Sequence, residues 1–102
     1  MSRYILKLHD DQKKKDYYLF WSSIVDAPVS EGLSKKEFTK LYQIEYGLSG
    51  MQKLSERMKR VEKQGSSCVL GRTGNEMIKR NRAGNDESEL TKAEILNKYC
   101  HS

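Results

Sequence analysis

The chain has 102 residues, 36% of them hydrophobic and 32% charged, and 19 lysines and arginines against 14 carboxylates leave a formal charge of +5. That length allows one small domain with a thin core, while Trp21, two phenylalanines and six tyrosines argue against a disordered chain. No apolar run nears the roughly 20 residues of a membrane span, Met1-Ser2-Arg3-Tyr4 lacks a signal peptide's apolar stretch, and two cysteines are too few for a disulfide framework, so a cytoplasmic protein with reduced thiols is expected.

Arg3 to His9 alternates, with Tyr4, Leu6 and Leu8 on one face and Arg3, Ile5, Lys7 and His9 on the other, which predicts a strand. The charged run Asp10 to Asp16 makes a turn, and Tyr17 to Val25 follows as a second strand. Tyr17, Leu19, Trp21 and Val25 share one of its faces, Tyr18, Phe20 and Ile24 the other. A lone hairpin with two apolar faces is marginal, so one face is expected on helices and the other, or the strand edge, on a second copy of the chain. A homo-oligomer is predicted on that ground.

Pro28 ends the strand and Gly32 closes the connector. Ser34 and Glu37 have capping-box spacing and open a helix of about 12 residues, with Phe38, Leu41 and Tyr42 on its apolar face and Gly47 as its stop. A second helix runs from Gly50 to Gly65 on Met51, Leu54, Met58 and Val61. Residues 66–73 read as a loop with a short extended piece at Cys68-Val69-Leu70. Gly74 to Arg82 forms a short helix ended by Gly84, and Thr91 with Glu94 caps a last one. The predicted fold is α+β, one domain comprising an N-terminal antiparallel hairpin (1–28), a helical pair (34–64), and a loop with C-terminal helices (65–102). That makes about four short helices.

The positive charge is uneven. Residues 1–83 hold 17 basic and 10 acidic side chains, whereas residues 84–102 hold 2 and 4. An anionic partner follows from such asymmetry, against the competing account of a solvated surface. On the second helix Lys53, Arg57 and Arg60 share a stripe beside the apolar one, with Arg57 nearest the core. Downstream, Thr73 as a helix N-cap and Arg80, Asn81 and Arg82 beyond it combine hydroxyl, amide and guanidinium donors suited to phosphate. Gly71 and Gly74 are too close for a P-loop, so the competing account there is a capped helix with a basic face. Among the aromatics, Tyr17 and Tyr18 near the polar turn are candidates for stacking on a base. Metal-binding spacing is absent from His9, Cys68, Cys100 and His101, no nucleophile with a placed base can be nominated, and no cofactor is expected.

The run Tyr17-Tyr18-Leu19-Phe20-Trp21-Ser22-Ser23-Ile24-Val25-Asp26-Ala27-Pro28-Val29, followed by Gly32-Leu33-Ser34, Glu37-Phe38, Asn81-Arg82-Ala83-Gly84, Leu90-Thr91 and Tyr99-Cys100, resembles a family of small, uncharacterised bacteriophage proteins. Strands followed by helices on a basic chain are also similar to the anti-Thoeris sponges, which assemble and sequester nucleotide messengers without cleaving them. That resemblance implies a phage anti-defence protein of the host cytoplasm, not an enzyme, holding a cyclic nucleotide or cyclic ADP-ribose-type messenger. Arg57, Arg80 and Arg82 would meet its phosphates and Thr73 and Asn81 its polar edges, with Lys53, Arg60 and Tyr17 alongside. The alternatives are a nucleic-acid-binding protein that uses the same basic helix, and a protein inhibitor of a defence enzyme.

Overall fold

The hairpin is present, and its turn is explained by one side chain. In the computed structural model, which describes residues 3–68 and 70–100, β1 (Arg3–Asp10) pairs antiparallel with β2 (Lys15–Ser22). The Asp10 carboxylate accepts from the amides of Gln12 and Lys13 at 3.0 and 3.2 Å, an Asx turn that needs no glycine. Val69, in the middle of the expected extended piece, lies outside the described residues, as do Met1-Ser2 of the signal-peptide argument and His101.

The second strand is shorter than predicted. It ends at Ser22, residues 23–26 turn through a positive φ at Asp26, and β3 (Ala27–Pro28) returns to pair Pro28 with Trp21. Pro28 is tolerated because it sits at the sheet's edge. Ile24 and Val25, counted among the strand's apolar positions, are left exposed in that turn.

The helical pair is a single element, α1 (Lys35–Gln64), broken at Gly47, whose φ of 68° and ψ of −169° are not helical. A straight helix of that length would run about 45 Å, beyond the 37 Å longest dimension of the structure. The element folds back instead. Phe38 and Tyr42 from its first half, and Leu54, Met58 and Val61 from its second, pack together on Ile5, Tyr18 and Phe20. Ser34 caps the start by accepting from the Glu37 amide, but its hydroxyl donates to the Glu37 carboxylate, so the reciprocal bond of a capping box is not made. Gly65 closes the far end in the left-handed conformation.

Two shorter helices follow, α2 (Gly74–Lys79) and α3 (Lys92–Tyr99), separated by a 3-10 turn at Asn85–Glu87. The architecture is α+β with a three-stranded antiparallel sheet and three helices rather than about four, because the chain through Gly47 forms one bent element. The full capping box occurs at Thr91, which accepts from the Glu94 amide while its own amide donates to the Glu94 carboxylate.

Neither face of the hairpin is left for a second copy. Ile5, Tyr18 and Phe20 lie under α1, while Leu6, Leu8, Tyr17, Leu19 and Trp21 lie under Met77, Ile78 and Ile95 of the C-terminal helices. Both strand edges are also occupied within the chain. Along β1, the Lys7 amide donates to Gly65 and the Ser67 amide to Ile5, each at 2.9 Å; along β2, Tyr18 and Leu33 exchange both backbone bonds. Among the described residues the large apolar side chains left exposed are Ile24, Val25 and Val29 at the β2–β3 turn, Ile44 and Leu48 around Gly47, and Leu70. Among the described residues no helix is long and apolar enough to cross a membrane.

Candidate functional site

Folding α1 back at Gly47 brings residues from its two halves to the end of the sheet where β1 begins, and a cleft of about 570 Å³ forms there. Its positive charge comes from Arg3 on β1 and from Lys53, Arg57 and Arg60 on the second half of α1. Tyr4, Tyr42 and Tyr46 supply rings, and Ser49 and Ser67 hydroxyls. Among the described residues no carboxylate lines it. Among the described residues none of the four cations lies within ion-pair distance of an acid, although Lys7, His9 and Arg82 all do.

Arg57 is held from three directions. One terminal nitrogen donates to the Tyr42 hydroxyl at 2.8 Å, the other to the Arg3 carbonyl at 3.0 Å and to the Ser67 hydroxyl at 3.5 Å, and the guanidinium carbon lies 5.6 Å from the Tyr42 ring centre. All these partners are neutral, so the position of the charge is fixed without being cancelled. Arg60 donates through Nε to the Ser67 carbonyl at 3.0 Å, and its two terminal nitrogens have no hydrogen-bond partner among the described residues. Lys53 is exposed at the mouth. Half-buried arginine forks held by neutral partners suit phosphate oxygens.

The aromatic wall is anchored in the core. Tyr42 is buried, and its ring lies 4.6 Å from that of the half-buried Tyr46, which also meets Phe20 edge-on. Gly50 makes this possible, since a side chain there would place its Cβ 2.3 Å from the Cβ of Tyr46. Tyr46 is thus the ring best placed for contact with a planar ligand group.

Of the residues singled out in the sequence, Lys53, Arg57 and Arg60 converge here. Arg80 lines a neighbouring hollow of about 320 Å³ with Arg72. The others lie elsewhere, each for a physical reason. Asn81 is fully buried and spends its amide on structure: its nitrogen donates to the carbonyls of Ile78 and Leu90, and its oxygen accepts from the amides of Ala83 and Leu90. Arg82 is tied to the β2–β3 turn, donating to the Ile24 carbonyl at 3.0 Å and pairing with Asp26 at 3.4 Å and Glu87 at 3.9 Å. Thr73 caps α2 as expected, but its hydroxyl is engaged by the Glu76 amide. Tyr17 is fully buried in the core, and no face of its ring is open to a base.

Tyr18, the other stacking candidate, is also buried. Its hydroxyl donates to Glu62 at 2.7 Å, and Glu62 also accepts from Lys7 at 2.9 Å. These bonds hold the Glu62 carboxyl below its ordinary range and Lys7 above its own, while burial raises Tyr18. The network fastens the second half of α1 to the sheet. Among the described residues no group of three histidines, cysteines or acids is placed to hold a metal.

The contributions of Arg3, Tyr4, Tyr42, Tyr46 and Ser67 were not legible in the sequence. Tyr42 read as an ordinary core position, and Arg3 as the solvent side of a strand. The available signal was Tyr42 and Tyr46 at i and i+4 directly before Gly47, since a reversal there turns two hydroxyl-bearing rings toward the basic stripe of residues 53–60.

No family model, curated protein or solved structure matches this chain.

Proposed function

We infer that this protein binds a compact phosphorylated ligand with a planar ring, a nucleotide or cyclic nucleotide, and retains it without covalent change. The observation that carries this reading is the set of four cations, Arg3, Lys53, Arg57 and Arg60, around one cleft that has tyrosine rings and, among the described residues, no carboxylate. Phosphate oxygens would meet the free donors of Arg57 and Arg60, and the base would lie against Tyr46. Among the described residues the lining also contains no imidazole or thiol, which supports holding rather than turnover. The setting implied by the sequence resemblance is sequestration of an immune messenger during phage infection, and that is the role we assign to the cleft.

Calorimetry with 5′-AMP and a panel of cyclic nucleotides tests this. Binding by the native protein, with Arg60→Gln weakening it by about 10- to 150-fold as loss of one charge-assisted bond of about 1.5–3 kcal/mol requires, and recovery of intact ligand after denaturation, is the expected result. No binding, or recovery of hydrolysed product, refutes it. Affinity that rises with oligonucleotide length and falls steeply with salt would assign the cations to nucleic acid instead.

A further inference from the structure

A second hollow adjoins the cleft. Tyr4 lines both hollows, and Ser67 of the first is followed in the chain by Cys68 of the second, so a single wall built from β1 and the segment along its edge separates them. Beyond that wall stand Arg72 and Arg80, both exposed, and neither lies within ion-pair distance of a carboxylate among the described residues. Glu76 lines this hollow too, so the described residues around it carry a net charge of +1.

The chain's fold creates this juxtaposition. Ser66 bridges to Leu6 on the edge of β1 and its hydroxyl donates to the Arg72 carbonyl, which ties Arg72 to that edge, and Arg80 is the C-cap of α2. Gly65 and Gly74 pack backbone to backbone, and a Cβ on Gly74 would come within 2.8 Å of the Gly65 carbonyl oxygen. That contact sets the start of α2 against the C-terminal end of α1, about one turn beyond Arg60.

We propose that the Arg72–Arg80 hollow is a second anion subsite of the same ligand, which therefore carries two phosphoryl groups at separated positions, one on each side of Tyr4. This rests on the nucleotide reading of the first cleft. Two adjacent phosphoryl groups, as in a pyrophosphate, share a bridging oxygen and cannot straddle an aromatic ring. The ligand class is a nucleoside bisphosphate or a dinucleotide, in which a sugar spans the distance.

Four probes decide it by calorimetry on the full chain: 5′-AMP, ADP, adenosine 3′,5′-bisphosphate and the dinucleotide pApA. The native protein is expected to bind the separated bisphosphate or pApA at least about tenfold more tightly than 5′-AMP, the value of one further charge-assisted contact. In R72Q/R80Q that ratio falls to near one. In Lys59→Gln with Lys63→Gln, which removes the same charge outside both hollows, it stays as in the native chain. Glu76→Gln should raise it, by removing the one negative charge there. R80Q alone serves if the double variant fails to fold. Equal affinity for 5′-AMP and the bisphosphate, a ratio that survives in R72Q/R80Q, or ADP binding as tightly as the separated bisphosphate would overturn the second subsite while leaving the first cleft standing. Binding of none of the four would overturn both.

Discussion

Replacing Gly47 with alanine tests the bend on which the cleft depends, because the two accounts of residue 47 differ in sign. In a continuous helix, glycine to alanine is stabilising by about 0.5–1 kcal/mol. At the observed φ of 68° and ψ of −169°, an L-residue occupies backbone space open essentially to glycine alone, and the substitution costs on the order of 1–3 kcal/mol. No neighbour enters this balance, since a Cβ at Gly47 would meet nothing within 4 Å. In a chain of this size each kcal/mol moves the melting temperature by about 4–8 °C, so the loss is readily measured by thermal or urea unfolding. A D-alanine at the same position, introduced by chemical synthesis, adopts that conformation without strain and should be neutral or stabilising by about 0.4–1 kcal/mol, by restricting the unfolded chain. The same L-variant should weaken phosphate binding, because the Arg57–Tyr42 bond joins the two halves of α1 across the bend. A Gly47→Ala protein more stable than the native one, or L- and D-alanine variants of equal stability, would refute the fold-back.

Asn81→Ala leaves the Ala83 amide and the Leu90 amide and carbonyl without their partner, while the Ile78 carbonyl keeps the backbone amide of residue 81, and should destabilise by about 2–4 kcal/mol in urea unfolding, at about 1–3 kcal/mol per orphaned group with partial relaxation; 5′-AMP affinity of the folded fraction should match the native value, and a selective loss of binding would return Asn81 to the site. The Glu62 carboxyl is held below its ordinary value of 4.5 by Tyr18 and Lys7, so its contribution to stability is present above that value and is lost as pH falls through the lower folded one; Glu62→Gln should flatten that part of the acid limb in urea titrations. Lys7 has the opposite sign: its contribution is complete below 10.5 and fades as pH rises through the raised folded value, so Lys7→Met should lose the alkaline fall seen in the native chain. Burial pushes the Cys100 thiol up to about 11, and Cys68 is buried as well, so a thiol reagent at pH 8 should label neither cysteine in the native protein and both in urea.

Local patterns carried most of the secondary structure. Alternation in residues 3–9, the caps at Ser34, Thr73 and Thr91, the stop at Gly65 and the break at Gly47 each depend on neighbours within about four positions, and each was legible in the sequence. The β3 return was missed because a two-residue edge strand has no periodicity, and Pro28 read only as a terminator. At the site, the basic stripe Lys53, Arg57 and Arg60 was visible because it lies on one helix. Its counterparts were not, since Arg3 is 54 residues from Arg57 in the chain and Tyr42 is 15.

Charge sign, helix faces and caps were thus determined by sequence alone, as properties of a chain segment and the water around it. Only the tertiary structure decided which cations stay uncompensated. Arg82 and Arg57 are chemically identical, yet one meets Asp26 and Glu87 and the other meets a tyrosine hydroxyl and a carbonyl. It also decided that both faces of the hairpin are covered within one chain, because the reversal at Gly47 lays α1 over one face and the Gly65–Gly74 contact brings α2 under the other. Such neighbours are set by packing between distant segments, where the free energy depends on which surfaces meet and no local pattern records it.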